Sequence, residues 1–230
     1  MVDIISRPIF GISITLITYL IGLYLKKKSG KFYFQPILVS LILIIVFLKI
    51  FKISYEGYNV GGQYISYLLK PATVALAIPM YKKIHLLKEK ALIILATTFF
   101  SALLGVLLVY FLGWFTGADK LLIFSMIPKA VTTPIAVGIS EEIGGEISLT
   151  GGMVIFNGLL GGMFGIKLHD LFRIKSQLAR GLSMGISAHG IGTARILEES
   201  EFEGAVSVLA IGLMGFFTAV IVPIFVALLN

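Results

Sequence analysis

The chain has no cysteine and few charged residues, and each shortage excludes a class of protein. Without cysteine it can hold no disulfide, no thiolate metal site and no cysteine nucleophile. Only 13% of the 230 residues are charged, whereas 57% are hydrophobic, and so few charges cannot cover the surface of a soluble protein. Several uncharged runs are long enough to cross a bilayer. The sequence therefore predicts an all-α, polytopic membrane protein.

Basic residues outnumber acidic ones, 19 to 12. In a soluble protein this excess would suggest nucleic-acid binding. Here the lysines and arginines cluster at the ends of apolar segments, where the positive-inside rule places them. We therefore expect no nucleic-acid partner.

Short connections join the apolar segments, and no low-complexity linker separates them, which predicts a single membrane domain over residues 1–230. The segments are Pro8–Leu25, Pro36–Phe51, Gly62–Tyr81, Ala91–Trp114, Leu121–Ser140, Ser148–Ile166, Gly181–Leu197 and Gly204–Leu229. No small-residue cleavage pattern follows the first segment, so we expect it to be a retained span.

Two stretches, Ile127–Ile139 and Gly185–Ile196, place helix breakers and polar residues inside apolar segments. The candidate helix breaks are Pro71, Pro128, Pro134, Gly190 and Gly192. Interrupted helices are tolerated at membrane depth only where protein or a water-filled cavity satisfies the exposed backbone. Both stretches therefore predict a polar pathway, as in a transporter or a pore.

Lysine clusters after the first and third segments predict cytoplasmic linkers and an N-terminus outside. The linker with Lys167, Arg173 and Lys175 is also cytoplasmic if both interrupted segments dip into the membrane and return. That topology has about six full transmembrane helices and two opposed re-entrant elements. The alternative has eight crossings, two of them unwound midway. A weak similarity between Ala72–Ile84 and Val131–Ile143 indicates either an inverted internal repeat or chance matching of apolar sequence.

Lys129 is the strongest candidate for substrate binding in the first interruption, because an ionisable residue among apolar neighbours is costly in a membrane. With Thr132 and Thr133 and the N–H groups of a broken helix it could hold a carboxylate. The alternative is that Lys129 extends to the membrane interface.

The second interruption brings Ser187, His189, Thr193 and Arg195 together among glycines. Arginine can bind a carboxylate through two hydrogen bonds, and histidine can carry a proton near neutral pH. A lone membrane histidine is otherwise often hydrogen-bonded to a neighbouring helix. Asn157 is a further candidate for the cavity, on a helix whose regularly spaced glycines otherwise predict close packing.

Acidic residues follow both interruptions, and Glu141 and Glu198 lie nearest the apolar segments. They are either gate residues or solvated residues at the membrane boundary. No second ligand type follows at a coordinating spacing, so the sequence predicts no metal site and no cofactor.

Four ordered motifs resemble the LrgB/CidB family of bacterial membrane proteins. They are LLKPATVALAIPMY at Leu68–Tyr81, PKAVTTPIAVGISEEIGG at Pro128–Gly145, LTGGMVIFNGLLG at Leu149–Gly161 and ARGLSMGISAHGIGTARILEES at Ala179–Ser200. The resemblance runs from about Ile9 to the C-terminus. It implies a multi-pass protein of the bacterial plasma membrane that acts with a small LrgA/CidA-type membrane partner.

The resemblance implies two functional accounts. In one, family members are holin- or antiholin-like regulators of murein hydrolase export and cell lysis. In the other, they carry small monocarboxylates such as pyruvate, and a plant plastid relative exchanges glycolate and glycerate. Ionisable groups at two opposed helix breaks favour a carrier that works by alternating access. We therefore expect a transporter of pyruvate, lactate or glycolate-class acids.

Uptake of an anion against a negative interior costs about 2.3 kcal/mol per 100 mV, so coupling to H⁺ or Na⁺ is expected. An enzyme is the least supported class, because the sequence shows no nucleophile with a partner base. The sequence leaves the oligomeric state open, a homo-oligomer included.

Overall fold

A computed structural model describes residues 7–31, 33–68, 71, 74, 75 and 77–229. The described chain is helical, with no strand, which confirms the all-α prediction. Its backbone divides into two compact units, Met1–Ala75 and Leu76–Asn230. The single domain over residues 1–230 stays a prediction.

The first unit contains three helices, α1 (Pro8–Ser29), α2 (Pro36–Ile50) and α3 (Tyr55–Tyr67). Proline opens α1 and α2, where its missing N–H costs nothing. Helix α1 packs against both of the others. Inside the unit the hydroxyls of Thr18 and Ser40 share a hydrogen bond of 2.8 Å. This pairing satisfies two polar groups that would otherwise be costly in an apolar interior.

The second unit contains the remaining described helices. They are α4 (Ala77–Lys82), α5 (Ile84–Glu89), α6 (Ala91–Phe115), α7 (Lys120–Met126), α8 (Thr133–Ile143), α9 (Ile147–Leu171), α10 (Gln177–Leu197) and α11 (Glu201–Ala227), with a 3₁₀ turn at Ile127–Ala130 between α7 and α8. Helix α11 packs against α10, α6, α4 and α8. Apolar side chains such as Val206, Ala210 and Val222 are fully buried along it. Helix α11 is therefore the centre of this unit.

Four described helices, α1, α6, α9 and α11, are long and apolar enough to cross a membrane. Helix α2 is apolar but has 15 residues, about 22 Å at helical rise, which is shorter than a ~30 Å hydrocarbon core. These helices make the protein a multi-pass membrane protein. The two interrupted segments are shorter or kinked elements, α7 with the 3₁₀ turn and α8 in one case and α10 in the other.

The third predicted span, Gly62–Tyr81, differs from the structure. Helix α3 begins earlier than predicted, where Ser54 caps it by accepting from Gly57 N–H at 3.2 Å, and it ends at Tyr67. The next described helix starts at Ala77. Pro71, the candidate break between them, lies in a stretch where the structure describes only Pro71, Val74 and Ala75. The break there stays a prediction. Residues 72, 73 and 76 of the first copy of the suggested repeat also lie outside the described residues.

The turn from α8 into α9 is held by Glu146. Its carboxylate accepts hydrogen bonds from the N–H groups of Ser148 at 3.0 Å and Leu149 at 2.5 Å, and its own N–H donates to Ser125 Oγ at 2.8 Å. These backbone hydrogen bonds stabilise the charged carboxylate and lower the pKa of Glu146 below its ordinary value of 4.5. Glu146 thus caps the N-terminus of a membrane-spanning helix.

Replacing Glu146 by glutamine should make the stability of the protein less dependent on pH in the acidic range. A carboxyl whose pKa is lowered by folding stabilises the fold above its unfolded pKa, and this contribution is lost as the pH falls through the folded pKa. Thermal unfolding of the purified protein at decreasing pH measures the effect. The matched control is Glu142→Gln, an exposed residue near the end of α8 that caps no helix. Identical pH profiles for wild type and Glu146→Gln would contradict the capping role.

Candidate functional site

The first interruption is a true break in the helix. The α7 helix tightens into the 3₁₀ turn that contains Pro128, and Val131 and Thr132 are extended, with φ of −116° and −68°. Pro134 then lies in the first turn of α8, and the Thr132 side chain makes no capping hydrogen bond. Because the first amides of a helix have no partner within it, the start of α8 offers hydrogen-bond donors beside Thr132 and Thr133.

The second interruption falls on His189 itself. Its φ of 36° and ψ of −128° divide α10 into two helical halves, 177–188 and 190–197. The sequence placed this break at Gly190 and Gly192, but both glycines lie in the second half. A positive φ is strained in a residue other than glycine, and its surroundings must hold it there. The His189 ring is fixed by a 3.1 Å hydrogen bond between Nε2 and the carbonyl oxygen of Val154 on α9.

The kink in α10 packs against α9, where glycines leave room for it. A Cβ on Gly158 would lie 2.6 Å from Cε1 of His189, and one on Gly161 would overlap Ala188. Small residues let membrane helices approach closely, so the glycine spacing has the packing role that the sequence predicted. At Gly158 it also creates the space that the His189 ring fills.

Asn157 on α9 joins the two interruptions. Its Nδ2 donates to the carbonyl oxygen of Ser187 at 2.5 Å and to that of Lys129 at 3.4 Å. One carbonyl lies just before the kink at His189, and the other lies in the 3₁₀ turn. The two breaks therefore meet at a single side chain.

Lys129 is half-buried, and its ammonium has neither an ion-pair partner nor a hydrogen-bond acceptor among the described residues. It lines a cavity of about 10 Å³ together with Thr218 of α11. Thr218 is 3% exposed, and its hydroxyl has no partner in the described part of the chain. The cavity has room for about one water molecule, so in this structure it marks an unpaired cation and an unpaired hydroxyl beside the first break without enclosing a ligand.

Arg195 forms ion pairs with two glutamates that follow it closely in the sequence. Its guanidinium forms ion pairs of 3.0 Å with Glu198 and 2.9 Å with Glu199. The predicted carboxylate ligand and the predicted gate residue Glu198 are therefore partners of each other. Residues three and four apart lie on one helix face, so this pairing was readable from the sequence. Glu141, the other gate candidate, is exposed at the end of α8.

Thr193 also has a partner. Its hydroxyl shares a 2.6 Å hydrogen bond with Ser207 between α10 and α11, and both residues are fully buried. In this structure the contact joins two packed helices.

Ser187 opens onto a larger cleft between α6 and α10, with a volume of about 410 Å³. Two pairs of hydroxyl residues line it, Thr97 with Ser101 on α6 and Ser183 with Ser187 on α10. Each pair is spaced by four residues and so lies along one helix face. Of the four, sequence reasoning named only Ser187 as a binding candidate. The paired spacing was the signal that could have revealed the others, whereas nothing in the sequence indicated Thr218.

The polar groups around the two breaks are suited to binding a small organic solute and not a metal ion. Among residues 7–229 with their gaps, no group of three histidine or acidic side chains could hold a metal ion. The described polar groups are instead hydroxyls, an amide, an imidazole and one unpaired ammonium. Such a set can bind an organic anion by hydrogen bonds and charge.

Comparison with known proteins places the chain in a family. The model of the LrgB-like family matches residues 15–228. The chain belongs to the LrgB-like family. It is 41% identical over 219 residues to the antiholin-like protein LrgB of Bacillus mycoides (strain KBAB4), with 95% of each chain covered. Antiholin-like LrgB proteins of Bacillus cereus (strain B4264) and Bacillus anthracis (strain CDC 684 / NRRL 3495) are 40% identical over the same coverage. No solved structure matches. The predicted LrgB/CidB membership is confirmed.

In this LrgB-like chain, replacing Asn157 by leucine should lower the free energy of unfolding by about 0.5–1.5 kcal/mol, because the half-buried amide would no longer pair the carbonyls of Ser187 and Lys129. Thermal unfolding in detergent measures the loss. The control is Phe156→Leu, an exposed neighbour on α9, which should change the midpoint little. Equal midpoints for the two variants would show that Asn157 does not hold the breaks together.

Proposed function

We propose that this protein moves small monocarboxylates, of the pyruvate, lactate or glycolate class, across the bacterial plasma membrane. The observation that carries the proposal is Lys129, a cation without a partner among the described residues, at a helix break that Asn157 joins to a second break. Transporters commonly bind substrate where interrupted helices meet near the middle of the membrane. A carboxylate on Lys129 would supply the missing counter-charge.

The remaining candidates take roles that follow from their contacts. The amides at the start of α8, with the hydroxyls of Thr132 and Thr133, would reach the oxygens of the anion. Ser187 lines the cleft through which a solute could approach. Arg195 would bind substrate only after leaving its glutamates, so its ion pairs with Glu198 and Glu199 serve better as a gate that opens during the transport cycle.

Coupling to a cation follows from the charge of the substrate. A monocarboxylate is ionised at neutral pH, and its inward movement costs about 2.3 kcal/mol per 100 mV of membrane potential. Entry together with H⁺ or Na⁺ offsets this cost. His189, held on the carbonyl of Val154 beside the kink, is the candidate proton carrier.

The second candidate is an antiholin-like regulator of murein hydrolase export and cell lysis that acts with a small LrgA/CidA-type partner. The comparisons favour it more directly than they favour transport, because each relative described above carries the name antiholin-like protein. None of those names gives a substrate. The two candidates are compatible if solute flux is the signal that the partner or the lysis machinery receives.

An enzymatic function has weaker support. The closest arrangement to a nucleophile and base is Ser183 with His169, whose Oγ and Nε2 are 2.7 Å apart. Ser183 also donates to the carbonyl oxygen of Arg180 at 2.9 Å, and His169 Nδ1 has no orienting partner in the described residues. A catalytic pair needs its base oriented by a third group. We do not propose hydrolytic chemistry.

Reconstitution into liposomes, with and without the small partner, separates the candidates. Saturable uptake of labelled pyruvate, lactate or glycolate that an unlabelled acid inhibits supports transport. Absence of flux in both preparations, combined with altered autolysis in cells that lack the protein, supports the regulator. Leakage of dyes from the liposomes with a sharp size limit would indicate an open pore, and so would contradict a carrier and also a regulator that forms no pore.

A further inference from the structure

A second polar pocket lies away from the two helix breaks, at the loop that joins α9 to α10. Its volume is about 480 Å³, within the range of small-molecule sites. The polar side chains that line it include His169, Asp170, Arg173, Lys175, Arg180 and Glu203. All of them belong to the second unit, and the proposals above use none of them as a binding group.

The pocket carries an excess of positive charge. Its three cations, Arg173, Lys175 and Arg180, face two carboxylates, so one net positive charge remains. Both carboxylates are held by Arg180, whose guanidinium contacts Glu203 at 3.1 Å and Asp170 at 3.5 Å. The side chains of Arg173 and Lys175 are exposed and have no ion pair or hydrogen bond with another described residue. These two side chains are the cations available to a ligand, and the net charge of +1 favours a singly charged anion.

His169 adds a requirement for a hydrogen-bond donor. It is 4% exposed, and its Nδ1 has no partner among the described residues. The single proton of Ser183 Oγ goes to the carbonyl of Arg180, so His169 Nε2 must donate to Ser183 Oγ across their 2.7 Å contact. In the neutral ring Nδ1 is then an acceptor. A hydroxyl group on the ligand would satisfy it.

Two apolar residues next to the pocket lining in the chain indicate where the anion comes from. Leu171 and Phe172, which follow His169 and Asp170 at the end of α9, are 72% and 70% exposed. Large apolar side chains beside cations at the end of a membrane-spanning helix are typical of the boundary between headgroups and hydrocarbon. A lipid would place its acyl chains on these residues and its headgroup in the pocket.

We propose that this pocket binds the headgroup of an anionic phospholipid, with its phosphate on Arg173 and Lys175 and a headgroup hydroxyl donating to Nδ1 of His169. Phosphatidylglycerol has the required chemistry, a phosphodiester with neighbouring hydroxyls. Lipid bound there would brace the loop between α9 and α10, the two helices that hold the break at His189.

Native mass spectrometry of the full-length, detergent-solubilised protein, titrated with phosphatidylglycerol, tests this proposal. We expect phosphatidylglycerol to bind at least about tenfold more tightly than phosphatidylcholine, and the variant Arg173→Asn with Lys175→Gln to lose about tenfold or more of that affinity. Asparagine is chosen at position 173 because Arg173 has a φ of 54°, which asparagine tolerates. His169→Gln keeps a donor for Ser183 but lacks Nδ1, and should lose affinity by a few fold.

The matched control is Lys88→Gln with Lys90→Gln, two exposed cations at the end of another helix, which should keep the affinity of wild type. Equal affinity for phosphatidylglycerol in wild type and the pocket variants would overturn the proposal. So would binding of inorganic phosphate that the Arg173→Asn, Lys175→Gln variant loses while it still binds phosphatidylglycerol like wild type, since the site would then take a soluble anion. Because the readout is lipid binding, failure of the transport proposal leaves this result unaffected.

Discussion

Saturable uptake of a labelled small monocarboxylate into proteoliposomes should fall about 30-fold or more when Lys129 is replaced by methionine. Removing one partner of a desolvated charge contact costs about 2 kcal/mol or more, which corresponds to that factor. Methionine keeps the length of the side chain and fills the same volume without charge. The ammonium of Lys129 has no other described partner, so its removal should weaken substrate binding and leave the stability of the protein unchanged.

Lys120→Met is the matched control for this experiment. Lys120 is an exposed cation at the first residue of α7, in the same interrupted element as Lys129. Its replacement should leave uptake close to that of wild type, and both variants should unfold at the temperature of wild type. If Lys129→Met transports as fast as wild type at substrate concentrations below saturation, the lysine does not bind the anion.

Replacing Gly185 by alanine should lower the free energy of unfolding by about 1–3 kcal/mol, the usual cost of overpacking. A Cβ at this position would overlap the carbonyl oxygen of Ser207 and lie 2.8 Å from Cβ of Ala210. Helices α10 and α11 would have to separate where the shared hydrogen bond of Thr193 and Ser207 joins them. For a chain of this length the midpoint of thermal unfolding should fall by about 2–4 °C per kcal/mol.

Gly212→Ala provides the comparison on the partner helix. A Cβ on Gly212 meets no atom within 4 Å, so alanine should be neutral or stabilising by up to about 1 kcal/mol through helix propensity. If the midpoint falls for Gly185→Ala and rises for Gly212→Ala, the destabilisation of Gly185→Ala comes from the α10–α11 contact and not from a general effect of replacing glycine in a helix. A midpoint for Gly185→Ala at or above that of wild type would show that the two helices are less closely packed.

The membrane class and the first helix break were predictable because they depend on local chemistry. A long apolar run predicts a membrane segment without knowledge of the tertiary structure. Pro128 and Pro134 each remove a backbone donor, and two of them six residues apart favour a helix break between them. The structure accordingly interrupts the chain at Ile127–Thr132. The glycines of α9 predicted close packing for the same reason, since a missing side chain is visible in the sequence.

The position of the second break was harder to predict because it depends on a partner helix. His189 has no intrinsic preference for a positive φ, and Gly190 and Gly192 were the natural candidates. The hydrogen bond to Val154 and the space beside Gly158 place the break on the histidine. Contacts of this kind join residues that are distant in sequence, and the hydrophobic periodicity of a single segment does not predict them.

The candidate site was predictable in part. Lys129 and Asn157 were named, but the pairing of Asn157 with the carbonyls of both interruptions requires the fold. Thr218 was missed because an isolated threonine in an apolar helix normally hydrogen-bonds within its own helix, and only the structure shows its hydroxyl unpaired among the described residues. Arg195 was interpreted by its chemistry alone, although Glu198 and Glu199 at three- and four-residue spacing already predicted its partners.

The central claim is that the two interruptions meet beside Asn157 inside the membrane. Because the chain has no cysteine, cross-linking needs no prior removal of native thiols. A short bifunctional thiol reagent should join Lys129→Cys to Ser187→Cys rapidly in intact membranes, since the carbonyls of both residues accept from the same amide. The comparison pair is Trp114→Cys with Ser187→Cys, because Trp114 lies about 20 Å along α6 from Ser101, which shares the Ser187 cleft. Fast, near-complete cross-linking of the first pair alone is the predicted result, and cross-linking of the first pair no faster than the second would contradict the account.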